Sequence, residues 1–248
     1  MHTSLSNFQS LFLVSCTNFV QHLIAPTCLL CAGTSAGDLL CAPCASDLPR
    51  LDTKHCDTCA LPITDGTRCG ACLTDPPAYD HVCAPFTYAF PVDALVQALK
   101  YRSMLAIAPL FGSAIAASLD ERPDIIVPMP LANARLRERG FNQAQEIARH
   151  VAKISGIALR PRACRKVCDT QPQAALPWKE RAKNVRKAFV CDDDFTGRHV
   201  AVVDDVMTTG ATLNELARNL KQAGAARVTG LVAARTLPGT FKRHLPDV

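Results

Sequence analysis

Eight cysteines between positions 28 and 72 fall into four CxxC pairs, Cys28/Cys31, Cys41/Cys44, Cys56/Cys59 and Cys69/Cys72. Adding 28 to each position of the first two pairs gives the last two, so the segment is a duplicated unit of CxxC, nine residues, CxxC. Two thiolate knuckles at that spacing can face one another and close a tetrahedral shell around one metal ion. The sequence therefore predicts a double zinc ribbon over 28–75 with two structural Zn2+ sites. Gly33, Gly37, Pro43, Pro62 and Gly66 suit tight turns and leave little core, so the metal supplies much of the folding energy. Sequential pairing of the knuckles is the simpler arrangement, and a cross-brace joining first to third and second to fourth is the alternative. An iron–sulfur site or redox thiols are the competing uses of such spacing. Four thiolates that close the shell favour a structural over a catalytic zinc.

Thirteen cysteines in 248 residues, most of them in this register, fit a reducing compartment better than a disulfide framework. No Lys or Arg precedes Arg50, so the charged start of a secretory signal is missing. The longest apolar windows, such as Met104 to Phe111 and Ile125 to Leu131, fall short of the ~18 residues that a membrane span requires. The expectation is a cytoplasmic protein with no membrane span. Before the first knuckle, Phe8, Leu11, Phe12, Val14, Phe19, Val20, Leu23 and Ile24 form a roughly helical apolar face, which gives an N-terminal helix over 1–27. His55 and His81 read as packed or solvated, since the metal shells are already full. Cys16, Cys83, Cys164, Cys168 and Cys191 lack the pairing pattern and read as buried thiols.

From about Tyr79 the texture changes to apolar strand candidates alternating with helical patterns, the signature of an α/β domain with a mostly parallel sheet, assigned to 79–248. Strands are expected at Val82 to Phe90, Ile125 to Met129, His199 to Val203 and Val228 to Ala234. Helices are expected at Val92 to Tyr101, Leu105 to Leu119, Asn142 to Ile154 and Thr212 to Ala223. Charge is uneven too. Residues 133–187 hold 14 Lys and Arg against 4 Asp and Glu, a local +10 in a chain whose net charge is +5. Such a stretch calls for an anionic partner, either phosphate groups on a small ligand or a nucleic-acid backbone. The cysteine module is poor in positive charge, so it reads as scaffold or docking piece rather than as a DNA reader.

The most informative run is Val202-Val203-Asp204-Asp205-Val206-Met207-Thr208-Thr209-Gly210-Ala211-Thr212. An apolar strand enters two carboxylates, a hydroxyl- and glycine-rich turn follows, and a helix opens at Thr212 with Glu215 at capping-box spacing. Amides and hydroxyls at a helix N-terminus suit phosphate, and the carboxylates suit sugar hydroxyls or Mg2+. This run resembles the 5-phosphoribosyl-1-pyrophosphate (PRPP) motif of type I phosphoribosyltransferases. With the cysteine knuckles, Val-Pro-Met-Pro (127–130), Arg-Leu-Arg-Glu-Arg-Gly-Phe-Asn-Gln (135–143), Asp-Thr-Gln-Pro-Gln (169–173) and Glu-Arg-Ala-Lys-Asn-Val (180–185), it resembles the ComF competence family over nearly the whole chain.

The resemblance implies a type I phosphoribosyltransferase fold, PRPP as ligand and Mg2+ brought with it. Asp204 and Asp205 would hold the ribose hydroxyls and stand as the catalytic pair, and Val206, Met207, Thr208, Thr209, Gly210, Ala211 and Thr212 would surround the 5-phosphate. Pro130 and Leu131 match the pyrophosphate loop, with Arg135, Arg137 and Arg139 as phosphate partners or as a solvated loop before the Asn142 helix. Arg165, Lys166 and the stretch to Gln173 would form a mobile loop. Ala132 stands where family members often carry His, so the roles implied are binding and charge stabilisation. Family resemblance further implies a part in uptake of transforming DNA, with single-stranded DNA and a helicase-like protein as partners. The alternative is an active phosphoribosyltransferase of nucleotide or related metabolism with no role in DNA uptake. Lys179, Arg181, Lys183, Arg186 and Lys187, with Trp178, form either a nucleic-acid patch or a solvated helix face.

Overall fold

The computed structural model describes residues 27–51, 54–167 and 188–238. The N-terminal helix expected over 1–27, Cys16 and Cys168, the motifs at 169–173 and 180–185, and the basic cluster around Trp178 lie outside the described residues. The chain divides into two compact units, Met1–Leu48 and Pro49–Val248.

Each unit contains one copy of the cysteine repeat, and the copies match bond for bond. In the first, Thr27 bridges Thr34, the Cys28 amide donates to the Gly33 carbonyl (2.7 Å), and the Ala32 amide donates to the Cys28 carbonyl (2.9 Å). In the second, His55 bridges Pro62, Cys56 donates to Leu61 (2.8 Å) and Ala60 to Cys56 (2.8 Å). Ala32 and Ala60, each following the second cysteine of its knuckle, adopt the left-handed φ of +58° and +57°. An alanine there costs ~1 kcal/mol or more and persists only where the surroundings impose it. Each second knuckle opens a short helix, α1 (Ala42–Ser46) and α2 (Gly70–Thr74), again 28 residues apart.

The sulfurs group sequentially, Cys28 with Cys31, Cys41 and Cys44, and Cys56 with Cys59, Cys69 and Cys72, all within 4.8 Å of one another in each group. Cys31 and Cys41 Sγ are 3.7 Å apart, and Cys59 and Cys69 Sγ 3.6 Å. Tetrahedral Zn2+ with Zn–S bonds of ~2.3 Å sets sulfurs about 3.8 Å apart, so both groups fit structural zinc. The geometry answers the pairing question against the cross-brace.

The second unit is built on a parallel sheet. Its strands are β1 (His81–Cys83), β2 (Phe86–Thr87), β3 (Ile125–Pro128), β4 (Ala158–Leu159), β7 (His199–Met207) and β8 (Arg227–Arg235), ordered β1-β8-β7-β3-β4 with β2 also on β8. Every ladder is parallel. β7 and β8 are buried along almost their whole length, which is why both read as continuous apolar runs rather than alternating ones. Around them stand α3 (Val92–Tyr101), α4 (Ala108–Ala117), α5 (Asn133–Arg139), α6 (Gln143–Ser155) and α7 (Ala211–Gln222). Asn142 caps α6 by accepting from the Ala144 amide (3.0 Å). α4 lies so close to α6 that a Cβ on Gly112 would stand 2.5 Å from the His150 Cβ. A separate antiparallel pair, β5 (Cys164–Lys166) and β6 (Phe189–Cys191), completes the described elements.

Several elements depart from the sequence reading. The strand expected over Val82 to Phe90 is two short strands, since Pro85 between them has no amide for a ladder. β7 continues beyond Val203 to Met207, carrying both aspartates within the ladder, with Asp204 opposite Val232. α7 opens at Ala211 rather than Thr212, and its N-cap is Gly210. Arg135, Arg137 and Arg139 lie on helix α5 rather than in a loop: the run Ala-Arg-Leu-Arg-Glu-Arg consists of strong helix formers and ends on Gly140 at φ +81°. Arg165 and Lys166, expected in a mobile loop, form strand β5.

Separate grouping makes a metal prediction. Cys28→Ser and Cys56→Ser should each lower bound zinc from two to one per chain by elemental analysis. Only Cys56→Ser should lower the unfolding midpoint of the sheet unit, which contains that site.

Candidate functional site

The site lies at the carboxyl end of β7, flanked by β8 and β3, where parallel sheets present their ligand-binding loops. Asp205 is buried, Asp204 half-buried, and each accepts from the following amide: Asp204 Oδ1 from Asp205 (2.9 Å), Asp205 Oδ1 from Val206 (2.8 Å). Burial and the adjacent Asp205 charge raise the Asp204 carboxyl well above the usual carboxylate range, and the Lys100 charge only partly offsets them.

Lys100 is the countercharge that sequence reasoning missed. Its Nζ lies 2.7 Å from Asp205 Oδ2. Burial is the largest single influence and lowers its pKa, but the Asp205 charge and hydrogen bond, with the Asp204 charge, together outweigh it and the pKa is raised. The signal was present in α3: Val92, Val96 and Lys100 recur at four-residue spacing on one face, and the two valines are fully buried. A lysine on that apolar stripe requires a buried partner.

Met207 ends β7, and the turn to α7 follows. Gly210 adopts φ +79°, and a Cβ there would stand 2.5 Å from Met207 Cε and 2.9 Å from Tyr79 Oη. The Thr209 hydroxyl accepts from the Ala211 amide (3.1 Å), and the Asn214 amide donates to Gly210 O (2.8 Å). Arg235, at the end of β8 and only 2% exposed, braces this turn from behind. Its Nη1 donates to the carbonyls of Met207 (2.9 Å), Thr208 and Thr236 (3.0 Å), and its Nε to the carbonyl of Cys59 (2.8 Å). One guanidinium thus ties a knuckle of the second cysteine group to the candidate phosphate loop. Tyr79 shares the core cluster with Cys56, Cys59, Cys72 and Met207, and the Ala78 amide donates to Asn214 Oδ1 (2.6 Å) on α7.

Beyond β3, Met129 bonds Val203 O (2.8 Å), and Pro130 and Leu131 lead to Ala132, the buried N-cap of α5. Arg135 and Arg139 are half-buried at four-residue spacing, whereas Arg137 is exposed. The Arg139 guanidinium lies 5.5 Å from the centre of the Tyr101 ring and also bonds the buried Gln143. Tyr101 follows Lys100, so the end of α3 joins α5 to the aspartate pair. Arg165 instead pairs with Asp192 (2.9 Å), and Lys166 lies over the Phe189 ring (5.9 Å). His81 Nδ1 is 2.5 Å from the Asp57 carbonyl, a packing role as expected. Among the described residues no helix is long and apolar enough to cross a membrane.

This is a mostly parallel α/β protein with an N-terminal double zinc ribbon. A double zinc ribbon family model matches residues 19–73. DNA utilization protein YhgH of Escherichia coli K12 is 31% identical over 207 residues, covering 80% of this chain and 91% of the relative. Competence protein F of Haemophilus influenzae is 28% identical over 215 residues (81% and 93% of the two chains), and competence protein ComFC of Bacillus subtilis 25% over 233 residues (84% and 95%). The chain belongs to the ComF family. Among solved structures, a purine phosphoribosyltransferase from Pyrococcus horikoshii is similar at 18% identity over 56% of this chain and 90% of that one, with a TM-score of 0.32.

Two measurements test this site. Arg235→Met strands buried carbonyls and should cost about 2–4 kcal/mol in denaturant unfolding. It should also speed chelator removal of one of the two zinc ions. Asp204→Asn should raise the stability of ligand-free protein by on the order of 1 kcal/mol at neutral pH, because it removes a disfavoured, half-buried charge beside Asp205. A raised carboxyl pKa penalises the fold above the ordinary carboxylate range. The advantage of the variant should therefore shrink as pH falls and wild-type Asp204 takes up its proton.

Proposed function

We propose that the end of β7 and the turn into α7 bind PRPP with Mg2+, and that the protein uses this site in handling incoming DNA, as the names of its competence relatives suggest. The observation that carries the reading is the juxtaposition of Asp204 and Asp205, countered by Lys100, with a glycine-opened turn into a twelve-residue helix. In this reading Asp204 and Asp205 accept hydrogen bonds from the ribose hydroxyls. Val206 and Met207 through Thr212 surround the 5-phosphate with backbone amides and hydroxyls, with the favourable end of the α7 dipole behind them. Pro130 and Leu131 border the pyrophosphate, and Arg135 and Arg139 supply positive charge, with Arg137 further out.

Oxygen donors suit Mg2+, and the two carboxylates with the substrate's own phosphates form such a set. The ion would neutralise pyrophosphate charge. Ala132 offers no acid or base, so in any ribosyl transfer this chain's contribution is electrostatic: carboxylates beside the developing cation and guanidinium groups beside the departing pyrophosphate. We read the protein as cytoplasmic, because eight metal-binding thiols favour a reducing compartment. Single-stranded DNA on the basic segment and a helicase-like protein on the ribbons are the proposed partners. The alternative function, phosphoribosyl transfer in nucleotide or related metabolism, is distinguished by pyrophosphate release in the presence of an acceptor.

Calorimetric titration of PRPP with Mg2+ should give saturable binding to wild type and none to folded, zinc-loaded Asp204→Ala/Asp205→Ala. Raising salt should weaken this binding less than it weakens binding of single-stranded DNA, whose affinity falls steeply with the number of phosphates contacted. Absence of PRPP binding by folded wild type refutes the reading.

A further inference from the structure

We propose that Cys164 and Cys191 are a redox-active dithiol, which a small-molecule disulfide of the glutathione class converts to an intrachain disulfide across β5 and β6. Neither cysteine belongs to the metal groups, and read from the sequence both are isolated buried thiols. The strand register makes them partners. Cys164 faces Cys191, Arg165 faces Val190 and Lys166 faces Phe189. Ladder bonds run from the Asp192 amide to the Ala163 carbonyl (2.9 Å) and from the Val167 amide to the Ala188 carbonyl (2.8 Å). The hydrogen-bonded rungs therefore join 163 to 192 and 167 to 188, and Cys164/Cys191 occupies a non-hydrogen-bonded rung. On such rungs the Cα atoms stand ~4.5 Å apart, within the 4.4–6.8 Å that a disulfide spans. The two Sγ atoms are 2.8 Å apart, so closing the bond needs little backbone movement.

The two thiols are also unequal. Cys164 is buried, 5% exposed, and Cys191 is half-buried. The Cys164 thiol hydrogen-bonds Cys191 and lowers its pKa against the opposing effect of burial, while that same contact, then burial, raises Cys164. This is the arrangement of an attacking and a resolving cysteine. By contrast Cys83, another described cysteine outside the metal groups, donates to the Ser118 carbonyl (2.8 Å) and faces no second thiol in its contacts.

The chemistry balances without a metal. The Cys191 thiolate attacks one sulfur of the small disulfide, whose S–S bond breaks and releases one small thiolate. Cys164 then gives up its proton and attacks the Cys191 sulfur of the mixed disulfide, forming the Cys164–Cys191 bond and releasing the second small thiolate. Two electrons pass from the protein to the small disulfide, and the two thiol protons end on the two released thiols. An excess of small thiol runs the sequence backward. The bond covalently joins the strands that flank residues 168–187 in the chain, so the basic segment becomes part of a closed loop.

The test uses the full zinc-loaded chain, equilibrated in buffers of oxidised and reduced glutathione, quenched with an alkylating reagent, digested and mapped by mass spectrometry. The expected result is a Cys164–Cys191 cross-linked peptide whose fraction rises with the oxidised share and reverses with dithiothreitol, while zinc stays bound by chelator assay. Cys164→Ser should stop at a glutathione adduct on Cys191, and Cys191→Ser should leave Cys164 unmodified. Cys168→Ser, which keeps the pair, should cross-link as wild type does. Alkylation of both cysteines under all buffers, or a cross-link formed through Cys168 or the zinc thiols instead, overturns the proposal.

Discussion

The buried guanidinium of Arg235 is the interaction on which the working end of the molecule depends. It sits at the last position of a strand that is apolar on both faces, where an unpartnered cation would be prohibitive. It is satisfied by carbonyls from two places far apart in sequence, a cysteine knuckle at Cys59 and the turn at Met207–Thr208. Carbonyls are poor partners for an anion, and directing them backward at Arg235 leaves the amide side of the turn for the ligand. The metal knuckle and the candidate phosphate loop are therefore held by the same side chain.

On the opposite side the balance is set by charge. Two adjacent carboxylates at a strand end repel, and among the described residues the close cation, Lys100, pairs with Asp205. Asp204 is left with a raised pKa, an unfavourable state that a ligand presenting hydrogen-bond donors or a divalent ion would relieve. Local instability of this kind is characteristic of binding sites. The rest of β7 is buried in the sheet and can sustain it.

Much of this was legible in the sequence because it is local. The 28-residue repeat marks the cysteine groups, the Asp-Asp run marks the candidate site, and α3 begins and ends at the residues its periodicity marks. What was missed depends on packing between distant segments. Lys100 and Arg235 carry no motif, and their importance comes from partners 105 and 176 positions away. Arg135, Arg137 and Arg139 carry two signals in sequence, charge that suits a solvated loop and helix propensity, and the structure follows the second. Cys164 and Cys191 were read as unrelated because only an antiparallel register, set by short strands with little apolar pattern, brings them face to face.

The left-handed alanines, Ala32 and Ala60, show that duplication preserved the backbone of the cysteine repeat down to single dihedral angles. It did not preserve its surroundings. In one copy Cys28 is buried, Cys41 and Cys44 are half-buried and Cys31 is exposed, whereas in the other Cys56, Cys59 and Cys72 are buried and Cys69 is half-buried. Ligand substitution at a metal proceeds through whichever sulfurs a competing donor can reach. Two chemically identical coordination spheres therefore differ in access, the first offering a competing donor three sulfurs that are not buried and the second offering one.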